Sequence, residues 1–433
     1  PPPPPTPTRH GVRRQRQMCI RDRGITPDKA GVKGDKLVGD YYVKFDQSYK
    51  AEIKDLVADG MLQEEAEKKA PILVEAQELL RKWENKDPEA YELWQRMNGW
   101  VYDGFGESYT RMGVDFDKLY YESDTYLLGR EEVLKGLEQG IFYKKEDGSV
   151  WVDLSEEGLD QKLLLRADGT SVYMTQDIGT AILRYRDYPN IIKQIYTVGN
   201  EQEYHFKVLF LILAKLGYSW AKECYHLSYG MVDLPTGRMK SREGTVVDAD
   251  DIMEEMATTA REHTEELGKI EGFSEEQASA LYEMLGLGAL KYFLLKVDPR
   301  KRMLFDPNES IQFQGNTAPF IQYTHARISA LLRKAKEENM DMSADLSQVD
   351  IHDIERQLVF ILGQFPDKIR EAGENYAPDI IANYAFELAK EYNRFYQEVS
   401  VFGEEDDSKK VFRLLLSKVI ASTIASAMDL LGI

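Results

Sequence analysis

The sequence predicts an α/β part with a doubly wound parallel sheet, followed by an all-α helical bundle. Between Leu165 and Val247, apolar strand patterns alternate with helical patterns, and polar segments lie at the joints. This alternation is typical of strand–helix–strand units in a parallel sheet. Later strand patterns fade, and six helical patterns with short connections favour a bundle, at 251–268, 274–296, 318–337, 350–372, 378–399 and 408–431.

Composition sets the broad class of the protein. A chain of 433 residues is long enough for two or three domains, and 43% hydrophobic with 30% charged residues is a soluble globular balance. The formal net charge of −19 argues against a general nucleic-acid binder but does not exclude a local basic face. Only Cys19 and Cys224 occur, which excludes a disulfide framework and a cysteine-rich zinc site and favours the cytoplasm. The longest apolar run, Val208 to Leu216, is too short for a bilayer, so no membrane partner is expected.

Residues 1–24 do not resemble the rest of the chain. PPPPPTPTRH is low in complexity, and GVRRQRQMCIRDRG is basic in an otherwise acidic protein. A basic nucleic-acid tail is one interpretation. We favour a non-native leader, because RQRQMCIRDR resembles a translated sequencing-adapter sequence, and we exclude it from fold reasoning.

Residues 25–160 are predicted to form a connective insertion of helices with a small hairpin. Pro71 and Pro88 each mark the first turn of a helix. Apolar residues alternate on both sides of Asp147-Gly148, which predicts the hairpin, and 116–121 is a short strand candidate.

The central stretch contains the strand–helix–strand unit. Thr170 is predicted to cap a helix that ends near Tyr188, and the elements that follow are a strand at 191–198, a helix at 204–217 and the strand CYHLSYGMV. Ligands of such sheets bind beyond the carboxyl ends of the strands. GNEQEYH and GMVDLPTGRMKSREG follow those ends, so we expect the functional site there.

Tyr173 and Asp177 lie four residues apart on the predicted helix and therefore share a face near its start. A carboxylate accepts a planar guanidinium through two hydrogen bonds, so the pair is a candidate cation site. Considered alone, the pair fits a surface salt bridge or a core tyrosine more readily. Gln202 follows a strand end and can hydrogen-bond a polar ligand, although a lone loop glutamine is most often only solvated. His205 begins the next helix and is interpreted as structural rather than as a catalytic base.

The loop GRMKSREGTVV carries Arg238, Lys240 and Arg242 between glycines. A basic loop beside a nucleotide pocket can hold a polyphosphate and stabilise the charge that develops in adenylyl transfer. A basic surface turn is the plainer interpretation. No GxxxxGK[ST] pattern occurs in the chain, which argues against a P-loop ATPase.

The order of DGTSVYMTQDIG, YTVGNEQEYHF, YGMV with GRMKSREGTVV, and IQFQGNTAPFIQYTHARI resembles that of arginyl-tRNA synthetases, which are class I aminoacyl-tRNA synthetases. The resemblance covers nearly all of Gly34 to Ile433. It implies that 161–268 is the second half of a Rossmann-type catalytic domain with a KMSKS-type loop. It also implies a helical anticodon-binding domain of the DALR type at 269–433, and the activity of an arginine–tRNA ligase that activates L-arginine with ATP.

Site residues follow from the same resemblance. The residues that match the arginine-holding positions are Tyr173, Asp177 and Gln202, in agreement with the guanidinium argument. Those that match the strand end on which the adenine packs are Gly230, Met231 and Val232. The expected catalytic residues of the KMSKS-type loop are Arg238, Lys240 and Arg242, of which Lys240 and Arg242 are candidates for contact with ATP. A QYxxAR motif and the basic residues after it imply a tRNA-binding face made of Gln322, Tyr323, Arg327, Arg333 and Lys334.

Two departures from the family pattern affect these expectations. RMKSR lacks a lysine at the fourth KMSKS position, so whether Lys240 or Arg242 contacts phosphate stays open. No HxGH motif occurs in the sequence, which implies that the first Rossmann half is missing and that this chain is inactive alone.

The expected partners are L-arginine, tRNA(Arg) and ATP with Mg²⁺ as substrate, with no zinc and no bound organic cofactor. The full-length protein is expected to be a monomer.

Two other functions stay open. A non-catalytic tRNA-binding protein derived from a synthetase would keep the helical domain and lose the chemistry. A cysteinyl-tRNA synthetase resembles this chain in its helical domain, but one native cysteine cannot supply a cysteine-rich zinc site. The carboxylate of Asp177 also suits a guanidinium better than a thiol.

Overall fold

The computed structural model describes residues 25–233, 248–266, 268, 270, 272–341, 343, 345–347 and 349–433. The leader 1–24 and the loop residues Arg238, Lys240 and Arg242 lie outside the described residues, so their interpretation stays a prediction. The chain divides into two compact units, one made of 1–115 with 236–255 and the other of 116–235 with 256–433. The domain boundaries drawn from the sequence also stay predictions.

The first unit is built from helices in the part of it that the structure describes. These are α1 (Pro27–Ala30), α2 (Gly34–Ala58), α3 (Gln63–Lys69), α4 (Pro71–Glu84) and α5 (Pro88–Met112). Pro71 and Pro88 open their helices as the sequence predicts, because the missing N–H of a proline needs no acceptor in a first turn. The Asp87 carboxylate accepts a hydrogen bond from the Ala90 N–H at 3.0 Å and caps α5. The apolar contact between α2 and α5 is made by Leu37, Val38, Tyr41, Leu93 and Met97.

The second unit begins with an α/β part. Its elements are α6 (Glu122–Glu138), β1 (Tyr143–Lys144), β2 (Val150–Val152), β3 (Lys162–Leu165), α7 (Tyr173–Asp187), β4 (Gln194–Gly199), α8 (Glu203–Lys215), β5 (Cys224–Tyr229) and β6 (Val232–Asp233). Strands β1 to β3 form an antiparallel sheet, which confirms the hairpin at Asp147-Gly148 and adds a third strand. Strands β4 and β5 pair in parallel on either side of α8 in the chain, which confirms the strand–helix–strand unit.

Two local predictions in this part are wrong, and a third is confirmed only in its first six residues. The strand candidate at 116–121 forms no regular structure. Thr170 does not cap α7, because its hydroxyl donates to Oδ1 of Asp168 at 2.7 Å within a turn. The strand CYHLSYGMV is interrupted at Gly230, whose N–H donates to the carbonyl of Pro299 at 2.7 Å. The residues after Gly230 therefore leave the β4–β5 sheet, and β6 pairs with a later strand.

The rest of the second unit is mainly helical. Its elements are α9 (Ala249–Glu266, which starts within the residue range of the first unit), α10 (Glu275–Leu295), β7 (Met303–Leu304), α11 (Pro307–Ser310), α12 (Ala318–Glu337), α13 (Asp353–Gly363), α14 (Phe365–Asn375), α15 (Pro378–Glu398) and α16 (Asp407–Leu430). Five of the six predicted helices are confirmed. The sixth, predicted at 350–372, is two helices that meet at Gln364, because Pro366 has no N–H to continue the hydrogen bonds of the first helix and is tolerated in the first turn of the second. The fully buried centre of the bundle includes Tyr292, Leu388, Tyr392 and Phe395.

Helix α16 is 24 residues long and contains an extended apolar stretch. It is the one helix of the described residues that passes a length and composition test for crossing a membrane, and 56% of its apolar window is buried. Leu414, Ile420, Ile424 and Met428 place that side of the helix in the bundle core. A core helix passes the same test, so the prediction of no membrane partner stays a prediction.

Candidate functional site

The carboxyl ends of β4 and β5 meet at one edge of their sheet. The two strands run in parallel register up to Gly199 of β4 and Tyr229 of β5. A 3₁₀ turn at Asn200–Gln202 follows β4, and Gly230 follows β5. Gln202 and Gly230 therefore lie at the edge where parallel sheets bind their ligands.

Two glycines fix α7, the helix that carries the proposed guanidinium-binding pair, against α6. A Cβ built on Gly179 would lie 2.4 Å from the carbonyl oxygen of Thr125, and one built on Gly129 would lie 1.8 Å from that of Thr175. Real Cβ atoms do not approach so closely, so only glycine permits this backbone contact. Sequence reasoning missed these residues, because the contact joins positions that are far apart in the chain.

Tyr173 and Asp177 lie one turn apart on the accessible side of α7. The Tyr173 residue is 39% exposed and the Asp177 side chain 44% exposed. The opposite side of the helix buries Met174 and Ile178, and the Thr175 hydroxyl donates to the carbonyl of Leu164 in β3. The phenol and the carboxylate are therefore accessible to a ligand on a helix that its neighbours hold in place.

Asp177 has a hydrogen-bond partner that sequence reasoning set aside. The Nε2 atom of His205 lies 2.6 Å from Oδ2 of Asp177. His205 stands in the first turn of α8, three residues after Gln202. The three-residue spacing from Gln202 to His205 was a signal in the sequence that the two lie about one helical turn apart, but it does not reveal Asp177 as the partner. The contact joins α7 to the helix start that carries Gln202.

The start of α8 is itself held at the sheet edge. Gln202 is the N-cap residue of α8, but its side chain makes no capping hydrogen bond. The hydroxyl of Ser228 in β5 donates to Oε1 of Glu203 at 2.8 Å, which ties the first turn of α8 to the neighbouring strand. The helix turn that follows Gln202 is thus tied to the sheet edge, while the Gln202 side chain itself is exposed and does not serve as the helix cap.

Gly230 is required by a close approach of two backbones. A Cβ at this position would lie 2.3 Å from the carbonyl oxygen of Lys301. Directly after it, the N–H of Met303 donates to the carbonyl of Met231 at 3.1 Å, and Val232 pairs with Met303 in the β6–β7 ladder. Met231 is 44% exposed and presents apolar surface beside the strand end.

The predicted tRNA-binding residues of α12 differ in environment. Gln322 and Tyr323 line a mostly apolar groove of about 770 Å³ between α12, α10 and α16. Arg327 is half-buried, and its guanidinium lies 5.0 Å from the ring centre of Tyr323 and 5.1 Å from that of Tyr396. It also donates a hydrogen bond to the side-chain oxygen of Asn393. Arg327 therefore fixes the tyrosine beside it.

Arg333 and Lys334 have a different environment, at the solvent-exposed end of α12. The Lys334 Nζ atom lies 4.2 Å from the ring centre of Phe402 and 3.8 Å from Oε1 of Glu338. Ion pairs between exposed side chains hold their partners weakly, so this cation remains available to an anionic partner.

Cys224 begins β5 and therefore lies at the end of the strand opposite to the proposed site. Burial raises the pKa of the Cys224 thiol to about 11, so the thiolate that a nucleophile needs is scarce at neutral pH. Within the described ranges of the chain, no group of three or more His, Cys, Asp or Glu side chains is placed to hold a metal ion. The expectation of no zinc remains a prediction.

Comparison with known proteins gives the family. Residues 38–306 match the family described as tRNA synthetases class I (R), catalytic domain, and 321–433 match the DALR anticodon binding domain. The arginine–tRNA ligase of Flavobacterium psychrophilum is 58% identical over 98% of this chain and 72% of its own length. The chain belongs to the arginyl-tRNA synthetase family. A second arginine–tRNA ligase, from Bacteroides thetaiotaomicron, is 58% identical over 95% of this chain and 69% of its own length.

Solved structures agree on the fold of this arginyl-tRNA synthetase chain. Thermus thermophilus arginyl-tRNA synthetase matches with a TM-score of 0.68 and 24% identity, over 89% of this chain and 72% of that one. Mycobacterium tuberculosis methionyl-tRNA synthetase in complex with methionyl-adenylate matches with a TM-score of 0.55 and 13% identity, over 79% of this chain and 78% of that one. The class I catalytic fold with a DALR domain is thereby confirmed, and the chain is an aminoacyl-tRNA ligase by family.

Proposed function

We propose that this arginyl-tRNA synthetase chain binds L-arginine with Tyr173, Asp177 and Gln202, and that it acts in the cytoplasm with ATP and tRNA(Arg). The observation that carries the proposal is the 2.6 Å contact between Asp177 and His205, at the sheet edge where Gln202 also lies. The contact joins α7, which carries Asp177, to the start of α8, where Gln202 is the N-cap residue. Two of the three proposed arginine ligands therefore come from elements that this contact holds together.

The chemistry of the side chains fits arginine. A guanidinium presents parallel N–H donors, and the Asp177 carboxylate offers two acceptor oxygens. The Asp177 side chain is 44% exposed, so a ligand can reach it. The Tyr173 phenol and the Gln202 amide supply further polar groups for the remaining donors and for the α-amino or α-carboxyl groups. Citrulline, which is neutral and carries a carbonyl in place of one nitrogen, would lose the charge pairing with Asp177.

ATP is assigned to the end of the neighbouring strand. Gly230 allows the backbone there to lie close to Lys301, and Met231 offers apolar surface on which an adenine packs. The loop cations Arg238, Lys240 and Arg242 follow in sequence and supply the positive charge that a Mg²⁺-bound polyphosphate needs. Magnesium enters with ATP as substrate rather than as a resident cofactor.

The helical domain is assigned to tRNA through five residues of α12. Tyr323, held by Arg327, offers an aromatic face on which a base stacks, while Arg333 and Lys334 offer exposed cations to phosphates. Gln322 adds an amide at the groove beside Tyr323. This local cationic and aromatic surface suits tRNA although the whole chain carries a formal charge of −19.

The finer proposal is that this chain binds its substrates without forming arginyl-adenylate by itself. No HxGH motif occurs in its sequence, and the resemblance described above implies that this motif belongs to the first half of the catalytic domain. An ATP–pyrophosphate exchange assay with L-arginine and tRNA(Arg) tests this. We expect exchange no faster than in a blank without protein. Steady turnover by the chain would contradict the finer proposal.

The arginine site is tested by titrating the chain separately with L-arginine and with ATP in a calorimeter. We expect Asp177→Ala to weaken arginine binding about 100-fold and to change ATP binding less than threefold, because the proposal gives the carboxylate a partner in arginine and none in ATP. Asp187→Ala, on the same helix almost three turns further on, is the matched control and should leave arginine binding unchanged. An equal loss for both ligands would refute the assigned role of Asp177.

A second candidate function is a non-catalytic tRNA-binding protein derived from a synthetase. The same missing HxGH motif, together with the DALR match, favours it. It predicts salt-dependent binding of tRNA without any binding of L-arginine. The titration with L-arginine therefore separates the two candidates.

A further inference from the structure

His205 occupies one side of the carboxylate that the proposed arginine site depends on. Its Nε2 atom is 2.6 Å from Oδ2 of Asp177. An ionised carboxylate only accepts hydrogen bonds, so Nε2 carries the proton and donates it to Asp177. Of the two tautomers open to a neutral imidazole, the contact selects the Nε2–H form.

The contact leaves the carboxylate open on its other side. The Asp177 side chain is 44% exposed, whereas the His205 side chain is 25% exposed. A carboxylate has about four lone-pair sites, and the imidazole uses one. The remaining sites are enough for the two parallel N–H groups of a guanidinium.

The imidazole stands on a helix turn that is fixed from a second direction. Ser228 of β5 donates to Glu203 of α8 at 2.8 Å, and Glu203 lies two residues before His205. The His205 ring also packs edge-on against the ring of Phe206, which is 7% exposed. A hydrogen bond from such a support restricts the rotation of an aspartate that is otherwise almost half exposed.

We propose that His205 is a positioning residue of the arginine site. It holds the Asp177 carboxylate in the orientation that receives the guanidinium and fixes the position of that carboxylate relative to the start of α8, where Gln202 lies. The inference rests on the proposed function of Asp177 and Gln202. His205 touches neither the arginine nor the reacting atoms and acts through Asp177 alone. It transfers no proton.

The test compares two substitutions of His205 in the full chain by titration with L-arginine and with ATP. His205→Phe keeps a ring but removes the donor, and we expect about tenfold weaker arginine binding with ATP binding unchanged. His205→Gln restores an N–H donor and should recover most of the loss. Equal arginine affinity in wild type and His205→Phe would overturn the proposal, and so would a failure of His205→Gln to differ from His205→Phe.

A double-substitution cycle shows whether His205 acts through Asp177. In an Asp177→Asn background, we expect His205→Phe to have less than a twofold further effect on the remaining arginine affinity, because the group it positions has gone. Independent, additive losses would contradict the proposed route. If the wild-type chain binds no L-arginine, the proposed function fails, and the contact is then judged spectroscopically.

That spectroscopic readout is the ¹⁵N shift pattern of the His205 imidazole at neutral pH, which differs between tautomers. We expect the Nε2–H pattern in the wild-type chain and a mixed pattern in Asp177→Leu, with His205→Gln used to assign the signals. Identical imidazole signals in wild type and Asp177→Leu would overturn the inference whether or not arginine binds.

Discussion

Gly179 of α7 meets Thr125 of α6 at a direct backbone contact, where a Cβ on the glycine would lie 2.4 Å from the threonine carbonyl oxygen. Gly179 lies two residues after Asp177 on the same helix. The depth at which α7 packs against α6 therefore sets the position of the Asp177 carboxylate. A single methyl group at Gly179 has to push the two helices apart.

Gly179→Ala is expected to lower both stability and arginine affinity. Overpacking of a helix contact costs about 1–3 kcal/mol, measured as the free energy of unfolding in urea. Gly373→Ala is the matched control, since Gly373 lies in α14 with no atom within 4 Å of its hypothetical Cβ. That control should be neutral or stabilising by up to about 1 kcal/mol, because alanine favours helix more than glycine does. Similar effects of the two substitutions would contradict the close-contact account.

The buried ion pair between Arg413 and Glu355 gives a second stability prediction. Nε of Arg413 donates to Oε1 of Glu355 at 2.6 Å, and the two residues are 8% and 1% exposed. Arg413→Met leaves the carboxylate buried without its cation and should cost about 3–5 kcal/mol of unfolding free energy. Adding Glu355→Leu to that variant should recover part of the loss. A double variant less stable than Arg413→Met would show that the pair is not the cause.

The Cys224 thiol gives a pH prediction. Burial raises its pKa to about 11 from an ordinary 9.0, so the folded state favours the protonated thiol. The resulting stabilisation is fully present below pH 9.0 and is lost as the pH rises from about 9 to about 11. In a Cys19→Ser variant, alkylation of Cys224 at pH 8 should be about 100-fold slower than that of a cysteine in a short peptide. Alkylation at the peptide rate would show that the thiol is not shielded.

The proposed tRNA face is tested by salt dependence. We expect the double substitution Arg333→Ala and Lys334→Ala to weaken tRNA(Arg) binding and to reduce the slope of log K against log salt by about 0.7–0.9 for each lost phosphate contact. Lys418→Ala, an exposed lysine of α16 in the same domain, is the control. The measurement is filter binding between about 50 and 200 mM salt. An unchanged slope would remove these two residues from the interface.

Local signals in the sequence were enough for most elements of the fold. The prolines at 71 and 88 open helices, the Asp147-Gly148 turn makes a hairpin, and Ser274 begins α10 through a capping box with Gln277. Each of these depends on residues within one turn of each other, so the chain order alone reveals them. Pro366 carried an equally local signal, and the error there was to run one apolar helical pattern through a proline.

The remaining features depend on contacts between residues that are distant in the chain. Gly129 and Gly179 look like ordinary helix glycines until the two helices are in contact. Gly230 ends a strand pattern only because Pro299 and Lys301 lie against it. The partnership of His205 with Asp177 is of the same kind, since spacing within α8 alone does not show which residue of α7 faces it.

The central claim is that the carboxylate of Asp177 recognises a guanidinium at this sheet edge. Calorimetric titration of the chain with L-arginine and with L-citrulline tests it most directly, in wild type and in Asp177→Asn. We expect wild type to prefer L-arginine by about 100-fold, and Asp177→Asn to lose nearly all of that preference, because an amide does not pair with a cation. Equal affinity of wild type for the two ligands, or an undiminished preference in Asp177→Asn, would contradict the account.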